Sequence, residues 1–366
     1  FFLTNHSHAR QTDGNMVWGI DTSPSPNATN NTTGSFFTAY TPTPDIEPSS
    51  GGYASTTSIT ITCSDPTATI YYTTNGNFPT TAATLYTAPF DVSSTSVVHA
   101  IAVSADGNIL SSFMETNTYF INETFTMPVV SISGTQVDEL LEGDYNATPI
   151  GSFEWFDANL QLQDETVGEY NKHGNDSWAY AQRGFDYITR DELGYDSDVD
   201  ETIFSTTDRN SFQRLIFKAA ANDNYPFQTG GAHIRDAFVH HLSQVGNLEL
   251  DERAYEPCVV FMNGEYWGLY DVREKTDDSD FTDYYYDKEG NEIDYIQTWG
   301  GTWNAYGDMN DWNALRNYVL SNDMSNDANY QYVTERLNPL SLIDYIIINS
   351  HTVCSDWLNY NTSWWH

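Results

Sequence analysis

The chain has 366 residues, room for roughly two or three domains, and its 14 Lys+Arg against 51 Asp+Glu give a formal charge of −37. Phosphate backbones and anionic leaflets both need basic surface, so a general nucleic-acid binder and a binder of anionic membranes are excluded. Only 18% of residues are charged while 15% are aromatic, so this is a folded chain with a large core and an acidic surface, suited to a saline extracellular setting where salt screens self-repulsion.

Cys63, Cys258 and Cys354 are far apart with no CxxC spacing, which argues for buried free thiols over a zinc knuckle or a disulfide framework. No run approaches the roughly 20 apolar residues of a membrane span. The abrupt ends at Phe1 and His366 read as those of an excerpt. Asn-x-Ser/Thr triplets at Asn27, Asn122 and Asn146 are expected by chance in so Asn-, Ser- and Thr-rich a chain.

In chain order, Pro24 to about Ser50 is rich in Pro, Thr, Ser and Asn and reads as a linker. From about Pro44 to Phe120 the pattern is all β: Ser58 to Cys63 alternates, Ala68 to Tyr72 follows, Asn75-Gly76 turns, and Val97 to Val103 forms another strand. Such spacing means a small sandwich, in which Tyr71 and Tyr72 serve core packing rather than sugar stacking. Past Met127 the pattern becomes mixed: strands at Pro128 to Ser133, Gly151 to Phe156 and Arg209 to Ala220, then a helix over Ala232 to Val245 with Gly246 as its C-cap. Asn263-Gly264 marks a hairpin between Glu256–Phe261 and Glu265–Arg273. Helices are predicted at Asp311 to Leu320 and at Ser341 to Ser350, the latter with a capping box from Ser341 and Asp344.

Directly after that last helix stand Asp356 and, five positions on, Asn361. Protein kinases use this Asp-x4-Asn spacing in the catalytic loop, where the Asp handles the acceptor hydroxyl proton and the Asn holds magnesium. Spacing alone equally describes a turn held by Asx hydrogen bonds. Acidic runs at Asp196, Asp198 and Asp200 and at Asp277, Asp278 and Asp280 invite a Ca²⁺ reading, but neither has the Gly and Glu placement of an EF-hand.

Three resemblances follow from longer words. Val17-Trp18-Gly19-Ile20-Asp21 with the Pro-rich exit to Asn27 resembles the end of a lamin-tail-type β domain. Ile70-Tyr71-Tyr72-Thr73-Thr74-Asn75-Gly76-Asn77-Phe78-Pro79-Thr80, with Tyr86, Pro89-Phe90 and His99 to Ala102, resembles the chitobiase/hexosaminidase C-terminal module, which is accessory and non-catalytic. Lys172-His173-Gly174-Asn175-Asp176-Ser177, Ile234-Arg235-Asp236, Asn263 to Tyr270 with Glu274 and Asp277, and Ser355-Asp356-Trp357 to Asn361 resemble, in order, the words of CotH-type atypical protein kinases.

These resemblances imply a multidomain chain: an all-β sandwich followed by an α+β, protein-kinase-like bilobal domain whose C-lobe is truncated at His366. The implied divisions are 1–30 (lamin-tail end), 31–43 (linker), 44–120 (sandwich) and 121–366 (kinase-like). Within the last lie an N-lobe at about 128–270, a hinge at about 269–275 and a partial C-lobe at 276–366. The implied cofactors are ATP and Mg²⁺. Gly174, Asn175 and Ser177 would cover the phosphates; Lys172, Arg183 or Lys218 would supply the cation, Arg183 standing where the family usually shows Lys. Asp236 would pair with that cation, Leu269 to Glu274 would flank the adenine, Asp356 would be catalytic and Asn361 a metal ligand. A second metal-binding Asp would fall downstream of the Asp-x4-Asn loop, beyond His366, leaving this segment catalytically incomplete.

The leading expectation is therefore a secreted or cell-surface bacterial protein that phosphorylates Ser or Thr of an extracellular protein. The alternative is a structural or adhesive surface protein, self-assembling or bound to an assembly partner, that uses the kinase fold as a scaffold. A third, weaker expectation is carbohydrate attachment through the sandwich. Neither nucleic acid nor a membrane span enters any of these.

Overall fold

Every buried backbone polar group must find a partner, and this β-prone, aromatic-rich chain meets that demand mainly through sheets. The structure is a computed structural model describing residues 3–30, 35–224, 229–277, 279–290, 292–357 and 359–366. The chain divides into two units, Phe1–Gly231 with Glu256–Val272, and Ala232–Tyr255 with Arg273–His366. No helix among the described residues is long and apolar enough to cross a membrane.

The first unit begins with an antiparallel sheet of β1 (Ser7–Arg10), β2 (Trp18–Asp21) and β3 (Phe36–Phe37). The sandwich follows: β4 (Ala39–Tyr40), β5 (Asp45–Glu47), β6 (Gly51–Tyr53), β7 (Thr57–Thr62), β8 (Thr69–Thr73), β9 (Thr84–Leu85), β10 (Phe90–Val92), β11 (Ser96–Val103), β12 (Ile109–Leu110) and β13 (Glu115–Ile121). One sheet runs β10-β7-β5 and the other β6-β13-β11-β8-β9. The stretch predicted to be a linker thus contains β3 and β4, although 31–34 lies outside the described residues. Tyr72 stacks on Phe90 at 4.4 Å against the sandwich core, which accords with the packing role expected of it.

A closed barrel follows in the order β14-β15-β16-β17-β18-β20-β19. Its strands are β14 (Val129–Ser133), β15 (Ile150–Phe156), β16 (Leu162–His173), β17 (Gly184–Thr189), β18 (Arg214–Lys218), β19 (Tyr255–Met262) and β20 (Glu265–Glu274), with the short helix α1 (Val137–Glu142) after β14. Closure removes the exposed edges that an open sheet would carry. Aromatic rings fill the interior: Phe153 stacks on Tyr187 at 4.7 Å, and Phe185 on Phe217 at 4.7 Å. The β19–β20 turn has Asn263 at φ 52° and Gly264 at φ 85°, the paired left-handed residues that an Asn-Gly hairpin predicts.

Two barrel strands depart from the sequence reading. The strand expected over Arg209 to Ala220 shortens to β18, because Ala220 and Ala221 turn left-handed, at φ 56° and 49°, and stop the ladder. The long strand β16 went unpredicted, since Asp164, Glu165 and Glu169 are poor strand formers. It forms because both of its neighbours, β15 and β17, pair with it.

Sandwich and barrel share side chains. Phe120 of β13 meets Phe156 and Phe261 of the barrel, each at 5.0 Å. Beside this apolar contact runs a buried polar seam. Glu154 on β15 accepts hydrogen bonds from Ser50 Oγ at 2.5 Å, from the Thr118 amide at 3.1 Å and from the Thr118 hydroxyl. His99 contacts the Thr116 hydroxyl, the Gly76 carbonyl and the Ser133 hydroxyl at 2.9, 3.1 and 3.0 Å.

The second unit contains α2 (Arg235–Gly246), α3 (Ser279–Tyr286), the sheet β22-β21-β23 made of β21 (Tyr295–Trp299), β22 (Gly301–Tyr306) and β23 (Thr362–Trp365), and α4 (Asn310–Ser321), α5 (Asp327–Thr334) and α6 (Pro339–His351). Three expectations are corrected here. α2 runs through Gly246 and stops at left-handed Asn247, φ 49°, so Gly246 is not its cap. Its buried side chains are Ala237 and Ser243, while Phe238 and Val245, two of the apolar residues that give the helix its spacing, are exposed. α6 is capped by Asn338, whose side chain accepts from the Leu340 and Ser341 amides at 3.0 and 3.3 Å with Pro339 in the first turn, so no capping box forms at Ser341. All three cysteines are free, as expected, but only Cys258 is buried.

Truncating a ring in the barrel core tests this packing. Phe153→Ala should cost about 3–5 kcal/mol of unfolding free energy, read from the denaturant midpoint at unchanged slope, with Phe153→Leu costing less.

Candidate functional site

In the first unit the hairpin loop between β16 and β17 carries the glycine word. Gly174 has φ 95°, and a Cβ there would lie 2.5 Å from Ser177 Oγ, so the turn needs glycine. Asn175 precedes a short turn over Asp176–Ala179, and the tip at Gly174, Asn175 and Asp176 is exposed to solvent. Trp178 closes the base of the loop, its Nε1 donating to the carbonyls of His173 at 2.8 Å and Gly184 at 3.2 Å.

The three candidate cations have different surroundings. Lys172 Nζ lies over the rings of Tyr145 and Trp178, at 5.5 and 5.4 Å from their centroids. Arg183 is committed to backbone: its Nη1 donates to the carbonyls of Leu141 at 2.8 Å and Ala181 at 3.1 Å, and its Nε to that of Trp178 at 3.2 Å. That bonding fastens the C-terminal end of α1 to the loop, a structural use for the residue that the sequence offered as a phosphate ligand. Lys218 closes β18, half-buried; strand alternation puts it on the face of Ile216, which pairs with Asp186. Asp186 in turn meets His173 Nδ1 at 2.8 Å.

Leu269 lies within β20, and its carbonyl accepts from Gln182 Nε2 at 2.7 Å. Tyr270, next to it, donates its hydroxyl to the Arg183 carbonyl at 2.9 Å. The glycine loop and the β20 segment therefore meet through Gln182 and Tyr270, the latter the last residue of the family-like hairpin word but assigned no role by the sequence.

In the second unit Glu274 is buried and accepts from the Tyr285 hydroxyl at 3.1 Å and the Ala254 amide at 3.2 Å. Asp236, on the first turn of α2, pairs with the fully buried Arg273, and His240 Nε2 stands 4.0 Å from it. Arg273 is the partner that the sequence reading missed; it stands in the charged end of the β20 word, Asp271-Val272-Arg273-Glu274, where nothing local marks it as buried. Asp356 and Asn361 lie in the loop between α6 and β23. Asn361 Nδ2 donates to Asp356 Oδ2 at 2.9 Å and faces the Asp356 carbonyl at 3.5 Å. Asn361 is left-handed at φ 54°, and the Asn359 carbonyl accepts from the Gly300 amide at 2.6 Å, which ties the loop to the β21–β22 hairpin. Leu358, within this word, is outside the described residues.

Among the described residues, neither acidic run read for calcium gathers three donor atoms. Asp198 accepts from Ser197, Asp164 accepts from the amide of Asp200, and Asp278 is outside the described residues. Among the described residues, Asp294, Asp311 and His366 are the set that brings three donor atoms within 4.8 Å of one another.

Two family comparisons fit this layout. Residues 48–113 match the chitobiase/beta-hexosaminidase C-terminal domain, and residues 172–366, more than half of the chain, match CotH kinase protein. Comparison with curated proteins gives no match. The CotH match starts at the end of β16, so the strands that close the barrel ahead of it, β14 and β15, come from the preceding segment.

The commitment of Arg183 is testable. Lysine cannot reach three carbonyls at once, so Arg183→Lys should weaken the loop by about 2 kcal/mol, read as faster hydrogen exchange at the Trp178 and Tyr180 amides. Unchanged exchange at both would refute the pinning role.

Proposed function

Because the chain belongs to the CotH kinase protein family, we propose that it works as an extracellular or cell-surface phosphotransferase, moving the γ-phosphoryl group of ATP to a Ser or Thr hydroxyl of a protein. The observation that carries this reading is the hydrogen-bonded Asp356 and Asn361 pair in the loop after α6. An exposed carboxylate can accept the acceptor hydroxyl's proton as its oxygen attacks. Asn361 spends its amide nitrogen on holding Asp356, which leaves its carbonyl oxygen as a hard donor suited to magnesium. Magnesium-bound ATP supplies the electrophilic phosphorus when present.

In the first unit the exposed tip from Gly174 to Asp176 offers backbone amides, and Ser177 a hydroxyl, for phosphate oxygens. With Arg183 engaged by carbonyls, Lys172 and Lys218 become the favoured cations in a chain that has only 14 Lys and Arg. In this reading Glu274 and the Asp236–Arg273 pair are positioning residues, holding the segment after β20 and the first turn of α2.

The same Arg183 geometry favours a second reading. A cation taken up by backbone where the family usually carries lysine suits a non-catalytic scaffold, displayed or assembled at a surface with the sandwich as an interaction module. Assay of the full-length protein, not of this 366-residue segment alone, with Mg²⁺ and ATP separates the two. Catalysis predicts magnesium-dependent phosphate incorporation that falls by about 10²–10⁴-fold in Asp356→Ala, with ATP-induced thermal stabilisation retained. A chain that neither shifts in melting temperature with Mg²⁺ and ATP nor incorporates phosphate is the scaffold.

A further inference from the structure

The buried seam of the first unit collects carboxyl groups from both of its sides. Glu154 and Glu165 stand directly opposite each other on β15 and β16 of the barrel. Glu115 comes from β13 of the sandwich. Glu154 is fully buried, and the groups that touch it are the hydroxyls of Ser50 and Thr118 and the Thr118 amide, with Ser131 Oγ 2.7 Å beyond the Thr118 hydroxyl. The ionisable groups acting on the three carboxyls are one another, Asp164 on β16 and Asp45 on β5; around them lie the phenols of Tyr119, Tyr170 and Tyr195. Among the described residues, no lysine or arginine is named with them.

We propose that this seam is a proton-operated latch: with its carboxyls protonated the sandwich is held tightly on the barrel, and with their ionisation in water the polar half of the contact opens while Phe120, Phe156 and Phe261 keep the apolar half closed. The inference is independent of phosphotransfer. The physical cause is that hydroxyls both donate and accept, so Ser50, Thr118 and Ser131 satisfy a neutral acid, whereas a buried Glu154 carboxylate directly opposite the half-buried Glu165 is repelled across the strand pair.

Burial first, and then the neighbouring carboxyls, push Glu154 and Glu115 up to about 8 and Glu165 up to about 7. Groups raised in the closed state favour closure most below the ordinary carboxyl value near 4.5, and that contribution is lost progressively as pH rises toward about 8. His99, in the same seam, has the opposite sign: burial lowers it to about 3, so its contribution is lost as pH falls below its ordinary 6.5.

Native-state hydrogen exchange on the full chain tests the latch at the Thr118 amide, which donates to Glu154. After correction for intrinsic base catalysis, protection should fall by about tenfold or more between about pH 6 and about pH 7.5. Glu154→Gln, which keeps an acceptor but cannot ionise, should flatten that dependence, and Glu165→Gln should reduce it if the first variant does not fold. Protection that is pH-independent in the parent chain, or falls equally in it and in the folded variants, would overturn the proposal.

Discussion

One strand, β13, serves two cores at once, and the first unit depends on it. Tyr119 belongs to the sandwich core, while Phe120 packs against Phe156 and Phe261 of the barrel. With no solvent face available, its polar residues must find protein partners: Thr116 meets His99, Thr118 meets Glu154 and Ser131, and Asn117 donates to the Ile46 carbonyl. A strand of this kind makes the accessory module part of the barrel's own packing, which explains why both fall within one compact unit.

That sharing also accounts for the acidic seam. A glutamate such as Glu154, on the outer wall of an isolated barrel, would face water; with β13 laid against it, it is enclosed and must be matched by hydroxyls. Chemically, the seam meets Glu154 with hydrogen-bond donors while its enclosure favours the neutral acid. In a chain of net charge −37 the exposed acids repel harmlessly through salt water, whereas these few do so through protein.

The residues offered for nucleotide chemistry show how far local words reach. Gly174 was legible because only glycine takes the left-handed turn that the loop needs, and Asp356 with Asn361 because the spacing is short enough for a single loop to bring them together. The partner of Asp236 was not legible: Arg273 lies 37 positions away, and the half-buried pairing exists only once the chain has folded. The backbone engagement of Arg183 was not legible for the same reason, since its carbonyl partner at Leu141 lies 42 positions upstream.

By itself the sequence determined whatever depends on neighbouring positions. It set the alternation of β7, the apolar strand β11, the left-handed Asn263-Gly264 turn, the helix over Ser341 to Ser350 though not its cap, and the family words whose residue types are fixed by local chemistry. Tertiary structure decided the rest: closure of the barrel through β14, the acid-rich strand β16 between β15 and β17, and which face of α2 is buried. Those outcomes follow from hydrogen-bond ladders and burial between segments far apart in the chain, where pairing energy from neighbours overrides the weak intrinsic preference of any one residue.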